Sequence, residues 1–186
     1  VPLLYPSIEE HMATIVELKV PIVFTSAGNP KAWTRELKSH GVKVVHVVSS
    51  VKFGRKAQAA GVDAVVAEGF EAGGHNGREE TTTMCLVPAV SDALDVPVIA
   101  AGGIGDSRSI VAAFALGAEG VQIGSRFVAT PESSAHQAFK ERVIAAKEGD
   151  TALRLKPLTP VRLLDNPFAQ RVAAAEANGA DWEALS

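Results

Sequence analysis

The sequence predicts an α/β fold in which strand–helix units repeat around a parallel sheet. Strands buried on both faces are near-continuous apolar runs with little alternation, and the chain has such runs rich in Val, Ile and Ala. They are Val20–Ser26, Val42–Ser50, Ala64–Glu68, Val96–Gly103 and Gly120–Ser125. Successive runs begin about 25 residues apart on average, which is the length of one strand, loop and helix.

Helical signals occupy the stretches between these runs. Ser7-Ile8-Glu9-Glu10 has the pattern of a capping box that opens the first helix. Asn29-Pro30 places a cap and a first-turn proline before the second helix. Further helices are expected at about 51–60, 85–94, 107–116 and 134–148.

Three glycines repeat the same junction along the chain. Gly41, Gly61 and Gly117 each stand between the end of a helical stretch and the start of an apolar run. A left-handed residue at that position stops a helix and turns the chain back, and glycine adopts this conformation without strain. The repeat supports the parallel βα arrangement.

The parallel strands fit either an open, flavodoxin-like sheet or part of an eight-stranded barrel. The alternation of strand and helix signals ends near residue 150. We therefore expect a partial barrel over 1–150 and a C-terminal extension over 151–186. Within the extension, Lys156–Pro160 and Asp165–Pro167 indicate an irregular connection to a last helix at about 168–178.

Composition excludes several classes of protein. Forty-seven per cent apolar and 21% charged residues are ordinary for a globular protein, and the net charge of −3 argues against a nucleic-acid or anionic-membrane partner. No apolar run reaches the length of a membrane span. The single cysteine, Cys85, excludes an internal disulfide and fits a cytoplasmic protein. No set of residues has the spacing of a metal site.

Glycines dominate the carboxyl ends of the last two strands. Parallel βα proteins bind ligands at these ends. In the loop Gly102–Asp106, backbone N–H groups at the start of a helix can bind a phosphate, and Gly124-Ser125 follows the next strand with further N–H groups and a hydroxyl. The alternative is that these glycines only make tight turns. A dinucleotide fingerprint fits poorly, because the third glycine is missing.

His75 is the leading candidate for a catalytic side chain. It lies in a glycine-rich loop beyond a strand that ends at Glu68, and an imidazole can accept or donate a proton near neutral pH. A solvated or structural role is the alternative for His75, and a structural role is expected for His46. Glu68 is expected either to bind ligand hydroxyls or to form an ion pair. Two further expectations place Glu71 in solvent and Cys85 in the core.

Three segments resemble the nitronate monooxygenase (2-nitropropane dioxygenase) family, which also contains FMN-dependent enoyl-acyl-carrier-protein reductase II enzymes. They are Ala67-Glu68-Gly69-Phe70-Glu71-Ala72-Gly73-Gly74-His75-Asn76-Gly77, Ile99-Ala100-Ala101-Gly102-Gly103-Ile104 and Gln122-Ile123-Gly124-Ser125-Arg126-Phe127. The resemblance implies a TIM-type (β/α)8 barrel of which this chain carries about five C-terminal units, strands 4 to 8, with one FMN bound non-covalently.

The resemblance also implies residue roles and an activity. His75 is the implied catalytic residue beside the flavin. The implied cofactor-binding residues are Ser26, Glu68, Gly74, Gly102, Gly103, Gly124 and Ser125. The implied reaction oxidises alkyl nitronates with O2 to carbonyl compounds and nitrite; reduction of an enoyl thioester with NAD(P)H is the alternative, favoured by the stretch Glu80–Met84. A non-catalytic partial barrel is a third interpretation, and a homo-oligomer is left open.

Overall fold

The computed structural model describes residues 1–180 and contains a five-stranded parallel sheet. The strands follow one another in chain order across the sheet, and every neighbouring pair is parallel. A short two-residue strand, β4, lies outside this sheet. The strands are β1 (Ile22–Thr25), β2 (Lys43–Val48), β3 (Ala64–Glu68), β4 (Gly74–His75), β5 (Val98–Ala101) and β6 (Gly120–Gln122).

Helices connect the strands and cover one face of the sheet. None of those in residues 1–180 is long and apolar enough to cross a membrane. A 3₁₀ turn at Pro30–Ala32 precedes the second helix. The helices are α1 (Ile8–Glu17), α2 (Thr34–Ser39), α3 (Val51–Ala59), α4 (Thr83–Ser91), α5 (Ser107–Ala115), α6 (Ser125–Val128), α7 (Gln137–Ala145) and α8 (Pro167–Ala177).

Strand order decides between the open sheet and the barrel. A flavodoxin-like sheet has the order 2-1-3-4-5, whereas this sheet runs β1-β2-β3-β5-β6 without reversal. Phe24 of β1 and Val121 of β6 lie on the two edge strands, yet both line one cavity of about 250 Å³. Edge strands approach in this way only when the sheet curls. The fold is therefore α/β with a curled parallel half-barrel sheet.

The two faces of the curled sheet differ in how completely they are buried. The helix-covered outer face holds the main core, in which side chains such as Leu37, Val44 and Val65 are fully buried. The concave inner face holds a smaller cluster of Val45, Val66 and Ala101. Ile22 and Phe24 of β1, a strand with alternating burial, are 52% and 41% exposed.

Local signals at the helix ends are confirmed in part. Gly41, Gly61 and Gly117 have φ angles of +80°, +85° and +97°, as the junction pattern predicted. The Asn29 side chain accepts a hydrogen bond from the N–H of Lys31 and caps the 3₁₀ turn. The capping box at Ser7 is wrong, because the Ser7 side chain makes no capping hydrogen bond.

The C-terminal extension differs from its prediction. Residues 156–160 and 165–166 lack regular structure as predicted, but they adjoin two unpredicted strands, β7 (Thr151–Arg154) and β8 (Val161–Leu164), which form an antiparallel hairpin; β8 also pairs with β4. The last helix begins at Pro167 under the cap of Asn166, close to where it was expected. The predicted boundary at 150 stays a prediction, and residues 181–186 of the extension lie outside the described part of the chain.

Candidate functional site

The loops after β3 and β5 are in direct contact at the carboxyl edge of the sheet. The N–H of Gly69 donates to the carbonyl oxygen of Ala101 at 2.9 Å. A β-carbon added to Gly102 would lie 2.7 Å from the carbonyl oxygen of Gly69 and 2.9 Å from Thr83 Oγ1. Gly102 also has a φ angle of +98°, so both space and conformation require glycine there. These contacts close the tips of β3 and β5 against each other.

A hydrogen-bonded clasp between Glu71 and Thr83 holds this contact together. The Glu71 carboxylate accepts hydrogen bonds from the N–H of Thr83, at 3.0 Å to Oε2, and from the Thr83 hydroxyl at 3.0 Å. The same hydroxyl lies 2.9 Å from the carbonyl oxygen of Gly102. The expectation that Glu71 is solvated is wrong, because its carboxylate is half-buried and satisfies the start of α4.

His75 lies exposed on β4, opposite Val161 of the C-terminal hairpin. The preceding residue, Gly74, has a φ of +87° and faces Arg162 in the same ladder. A histidine that is fixed at its main chain and exposed at its ring can meet a ligand arriving from solvent.

Arg162 ties the hairpin to the loop at a second point. Its Nε donates to the carbonyl oxygen of Phe70 at 3.0 Å, and its guanidinium lies 5.1 Å from the centre of the Phe70 ring. Reasoning from the sequence missed Arg162 and Thr83 as residues that shape the site. Each acts on another segment of the chain, so its contacts form only when the chain folds.

The start of α5 is already occupied by a side chain. The Asp106 carboxylate accepts hydrogen bonds from the N–H groups of Arg108 and Ser109 at 3.0 and 3.1 Å. Hydrogen bonds from the Arg108 side chain and the Ser109 backbone lower the pKa of Asp106 to about 2. A phosphate therefore cannot use this helix end without displacing a carboxylate, contrary to the sequence-based expectation of a contribution from the helix.

The tip of β6 has the open backbone that a phosphate would need. A β-carbon added to Gly124 would meet no atom within 4 Å, and no capping side chain satisfies the start of α6. In the neighbouring loop, Gly103 has a φ of +69° and its N–H has no acceptor within residues 1–180. A β-carbon on Gly73 would lie 3.5 Å from Ser125 Oγ. The loop that contains Gly73 and His75 is thus adjacent to the tip of β6.

Glu68 ends β3 beside a shallow cleft. Burial raises the pKa of its carboxyl group, and none of the ion pairs in residues 1–180 involves it. Glu79 borders the same cleft and accepts a hydrogen bond from the Ser49 hydroxyl at 3.2 Å. The ion pair considered for Glu68 is thus not formed within the described chain, and ligand binding stays a prediction.

The remaining candidates are spread more widely. Ser26 directly follows β1, at the opposite edge of the sheet from β6, and its main chain bonds to Val1 and Leu3. Cys85 is exposed near the start of α4, so its expected core position is wrong. His46 is buried and contacts Thr25 Oγ1 at 2.8 Å, as a structural histidine should. Within residues 1–180, no cluster of three or more His, Cys, Asp or Glu side chains could hold a metal ion.

A family model and curated relatives that match this chain point to the same family. A family model described as nitronate monooxygenase matches residues 6–184. A probable nitronate monooxygenase of Staphylococcus saprophyticus subsp. saprophyticus is 38% identical over 169 residues, covering 85% of this chain and 48% of that protein. The chain thus spans about half the length of the curated relatives it matches.

Two solved structures have a fold similar to that of this chain. FabK from Thermotoga maritima is 46% identical with a TM-score of 0.91, over 96% of this chain and 57% of that one. A nitroalkane oxidase from Streptomyces ansochromogenes is 27% identical with a TM-score of 0.77, over 95% of this chain and 60% of that one.

Proposed function

The chain belongs to the nitronate monooxygenase family, and from that premise we propose that it carries the cofactor-binding and catalytic part of an FMN-dependent nitronate monooxygenase. The proposed reaction oxidises alkyl nitronates with O2 to carbonyl compounds and nitrite. The observation that carries the proposal is the proximity of Gly73, in the loop of His75, to Ser125 at the open tip of β6.

The residues at the β5 and β6 tips fit a phosphorylated flavin. Gly103, Gly124 and Ser125 would hold the phosphate through backbone N–H groups and a hydroxyl, because the space beside Gly124 is open and the N–H of Gly103 has no acceptor within residues 1–180. Gly102 would act by shaping the loop. We place the flavin beside the residues that the family resemblance assigns to its lining, which are Ser26, Glu68 and Gly74. Bound FMN would supply the electron-accepting chemistry.

His75 would act on the substrate. Its exposed ring can donate a hydrogen bond to a nitronate oxygen, which orients an anionic substrate. If a neutral nitroalkane enters instead, the same imidazole can accept the proton that leaves the carbon. Either role requires the ring to project from a main chain held in place, and β4 has that geometry through its pairing with β8.

Replacing His75 tests this assignment in the full-length, FMN-loaded protein. His75→Ala should lower turnover of propyl-2-nitronate by about 10²- to 10⁴-fold, the usual contribution of a positioned acid or base. FMN affinity, measured by flavin fluorescence, should change little. His40→Ala removes another exposed histidine at the end of α2 and should leave both quantities unchanged. Unchanged turnover in His75→Ala would remove this residue from the mechanism.

Reduction of an enoyl thioester is the second candidate, and the 46% identity to FabK favours it. The experiment compares O2 uptake with propyl-2-nitronate against NADH oxidation with a crotonyl thioester. O2 uptake alone supports the monooxygenase, and thioester-dependent NADH oxidation supports the reductase. A full-length protein that binds no flavin would contradict both and leave a non-catalytic partial barrel.

A further inference from the structure

Asn76 follows His75 directly and is held at three points. Its side-chain Nδ2 donates to the carbonyl oxygens of Ala72 and Gly74, at 2.9 and 3.0 Å. Its main-chain N–H donates to the carbonyl oxygen of Pro160 in the C-terminal hairpin, at 2.8 Å. Because both side-chain partners are acceptors, the NH2 end of the amide must face them.

Side-chain packing gives little support to the turn that Asn76 closes. Gly73 and Gly74 have no side chains to pack. A β-carbon on Gly74 would meet nothing within 4 Å, and one on Gly73 would meet only Ser125 Oγ. Packing therefore does not fix the turn that leads into His75. The side chain of Asn76 does so, together with the hydrogen bond from the N–H of Ala72 to the carbonyl oxygen of Gly69 and the pairing of Gly74 with β8.

The side chain of Asn76 forms its hydrogen bonds through Nδ2 and none through Oδ1 within residues 1–180. Asn76 is only 8% exposed, and its Oδ1 is buried without a hydrogen-bond partner in residues 1–180. A buried acceptor without a partner is unfavourable. An apolar residue would avoid that penalty but would also lose both hydrogen bonds to the turn, so those two bonds account for asparagine at this position.

We propose that Asn76 is a positioning residue for His75, acting by locking the turn from Ala72 to Gly74 so that the imidazole projects in one direction. The inference rests on the proposed catalytic role of His75, and it adds a residue that acts on the main chain and does not touch the substrate. The hairpin contributes through Pro160 and Val161, which fix the main chain on the far side of His75.

The test uses the full-length, FMN-loaded protein with Asn76→Ala and Asn76→Asp. Asn76→Ala should lower kcat by about 10- to 100-fold, the scale expected for a misplaced catalytic group, with KM and FMN affinity little changed. Amide hydrogen exchange should speed up within 72–77 and not elsewhere. Asn166→Ala is the matched control, because it removes a side-chain bond to the N–H of Ala169 at the start of α8. It should leave kcat and exchange in 72–77 unchanged.

The aspartate variant separates positioning from general stability. Its side chain has the same shape, but the ionised carboxylate cannot donate to Ala72 or Gly74, whereas the protonated form can donate one hydrogen bond. The ratio of kcat for Asn76→Asp to that for Asn76→Ala should therefore rise as pH falls. A ratio that does not vary with pH, with parental exchange in 72–77, would overturn the inference. The exchange measurement needs no turnover, so it distinguishes this failure from a failure of the proposed reaction.

Discussion

The tips of β3 and β5 are closed, whereas the tip of β6 is open, although all three end in glycine-containing loops. At the closed tips, Gly102 packs against the main chain of Gly69 and the side chain of Thr83. At the open tip, the space beside Gly124 contains no atom within 4 Å. The difference shows that glycines at strand ends serve two purposes, one in packing and one in ligand approach.

The same glycine-to-alanine substitution should therefore have different consequences at the closed tips and at the open tip. A methyl group at a closed tip must displace backbone atoms, which cannot yield as a flexible side chain would. A methyl group at the open tip extends into the space where we place the FMN phosphate. Stability should therefore report on the first, and cofactor affinity on the second.

The largest expected effect is that of Gly102→Ala. The added carbon would lie 2.7 Å from the carbonyl oxygen of Gly69, in a residue with a φ of +98°. Overpacking and left-handed strain together should lower the free energy of unfolding by about 2–4 kcal/mol. Urea denaturation measures this change.

Gly105→Ala is the control for Gly102→Ala, since it lies in the same loop with nothing within 4 Å of its added carbon. It should change the free energy of unfolding by no more than about 0.5 kcal/mol. Equal effects of the two substitutions would show that the tips of β3 and β5 are not closed by packing.

The next effect is that of Thr83→Val, which keeps the shape of the side chain and removes its hydroxyl. The hydroxyl has one proton, which it can donate to Glu71 Oε2 or to the carbonyl oxygen of Gly102, so one of these acceptors would lose a hydrogen bond. Loss of that hydrogen bond at a partly buried site should lower the free energy of unfolding by about 1–3 kcal/mol. Thr82→Val is the control, because Thr82 makes no side-chain capping bond at the start of α4. A similar loss in both variants would argue against the clasp.

Much of the parallel fold can be predicted from the sequence, because each strand is an apolar run and each helix end has a local signal. The run Ala64–Glu68 is β3 without change. The hairpin could not be predicted in this way. Its strands have four residues each, lack an alternating burial pattern, and form by pairing with each other and with β4.

The candidate site also has some features that local sequence signals predict and others that only the folded chain forms. Its glycines and His75 stand in recognisable motifs, so they could be identified from the sequence. The contacts of Glu71 with Thr83 and of Arg162 with Phe70 join segments that only the folded chain brings together. The capping role of Asp106 is also readable from the sequence, because Asp106 and Ser109 have the spacing of a reciprocal cap.

A smaller effect is expected from acid, through the buried His46. Burial lowers the pKa of His46 to about 4, from an ordinary value of 6.5. Between these values the unfolded chain binds the proton more tightly than the folded chain does. The contribution of neutral, buried His46 to the free energy of unfolding is therefore fully present above about pH 6.5 and is lost as pH falls toward 4. By pH 5 the loss should be about 1–2 kcal/mol.

The measurement compares urea denaturation of the parent and of His46→Gln between pH 7 and pH 5. Glu68 acts in the opposite direction, because burial raises its pKa and the folded state takes up its proton first. Both proteins contain Glu68, so the difference between their slopes reports on His46. Parallel slopes would mean that the imidazole does not titrate as its burial requires.

The smallest expected effect on stability is that of Gly124→Ala, and it decides what the open tip is for. Gly124 has a φ of −100° and open space beside it, so alanine should change the free energy of unfolding by no more than about 0.5 kcal/mol. Affinity for FMN should nevertheless fall about tenfold, equivalent to about 1.4 kcal/mol, because the methyl group enters the space of the phosphate. Fluorescence titration of the full-length apoprotein measures this affinity. If FMN binds the variant as tightly as the parent, the opening at β6 is an ordinary solvent-exposed turn, and the phosphate must be held elsewhere.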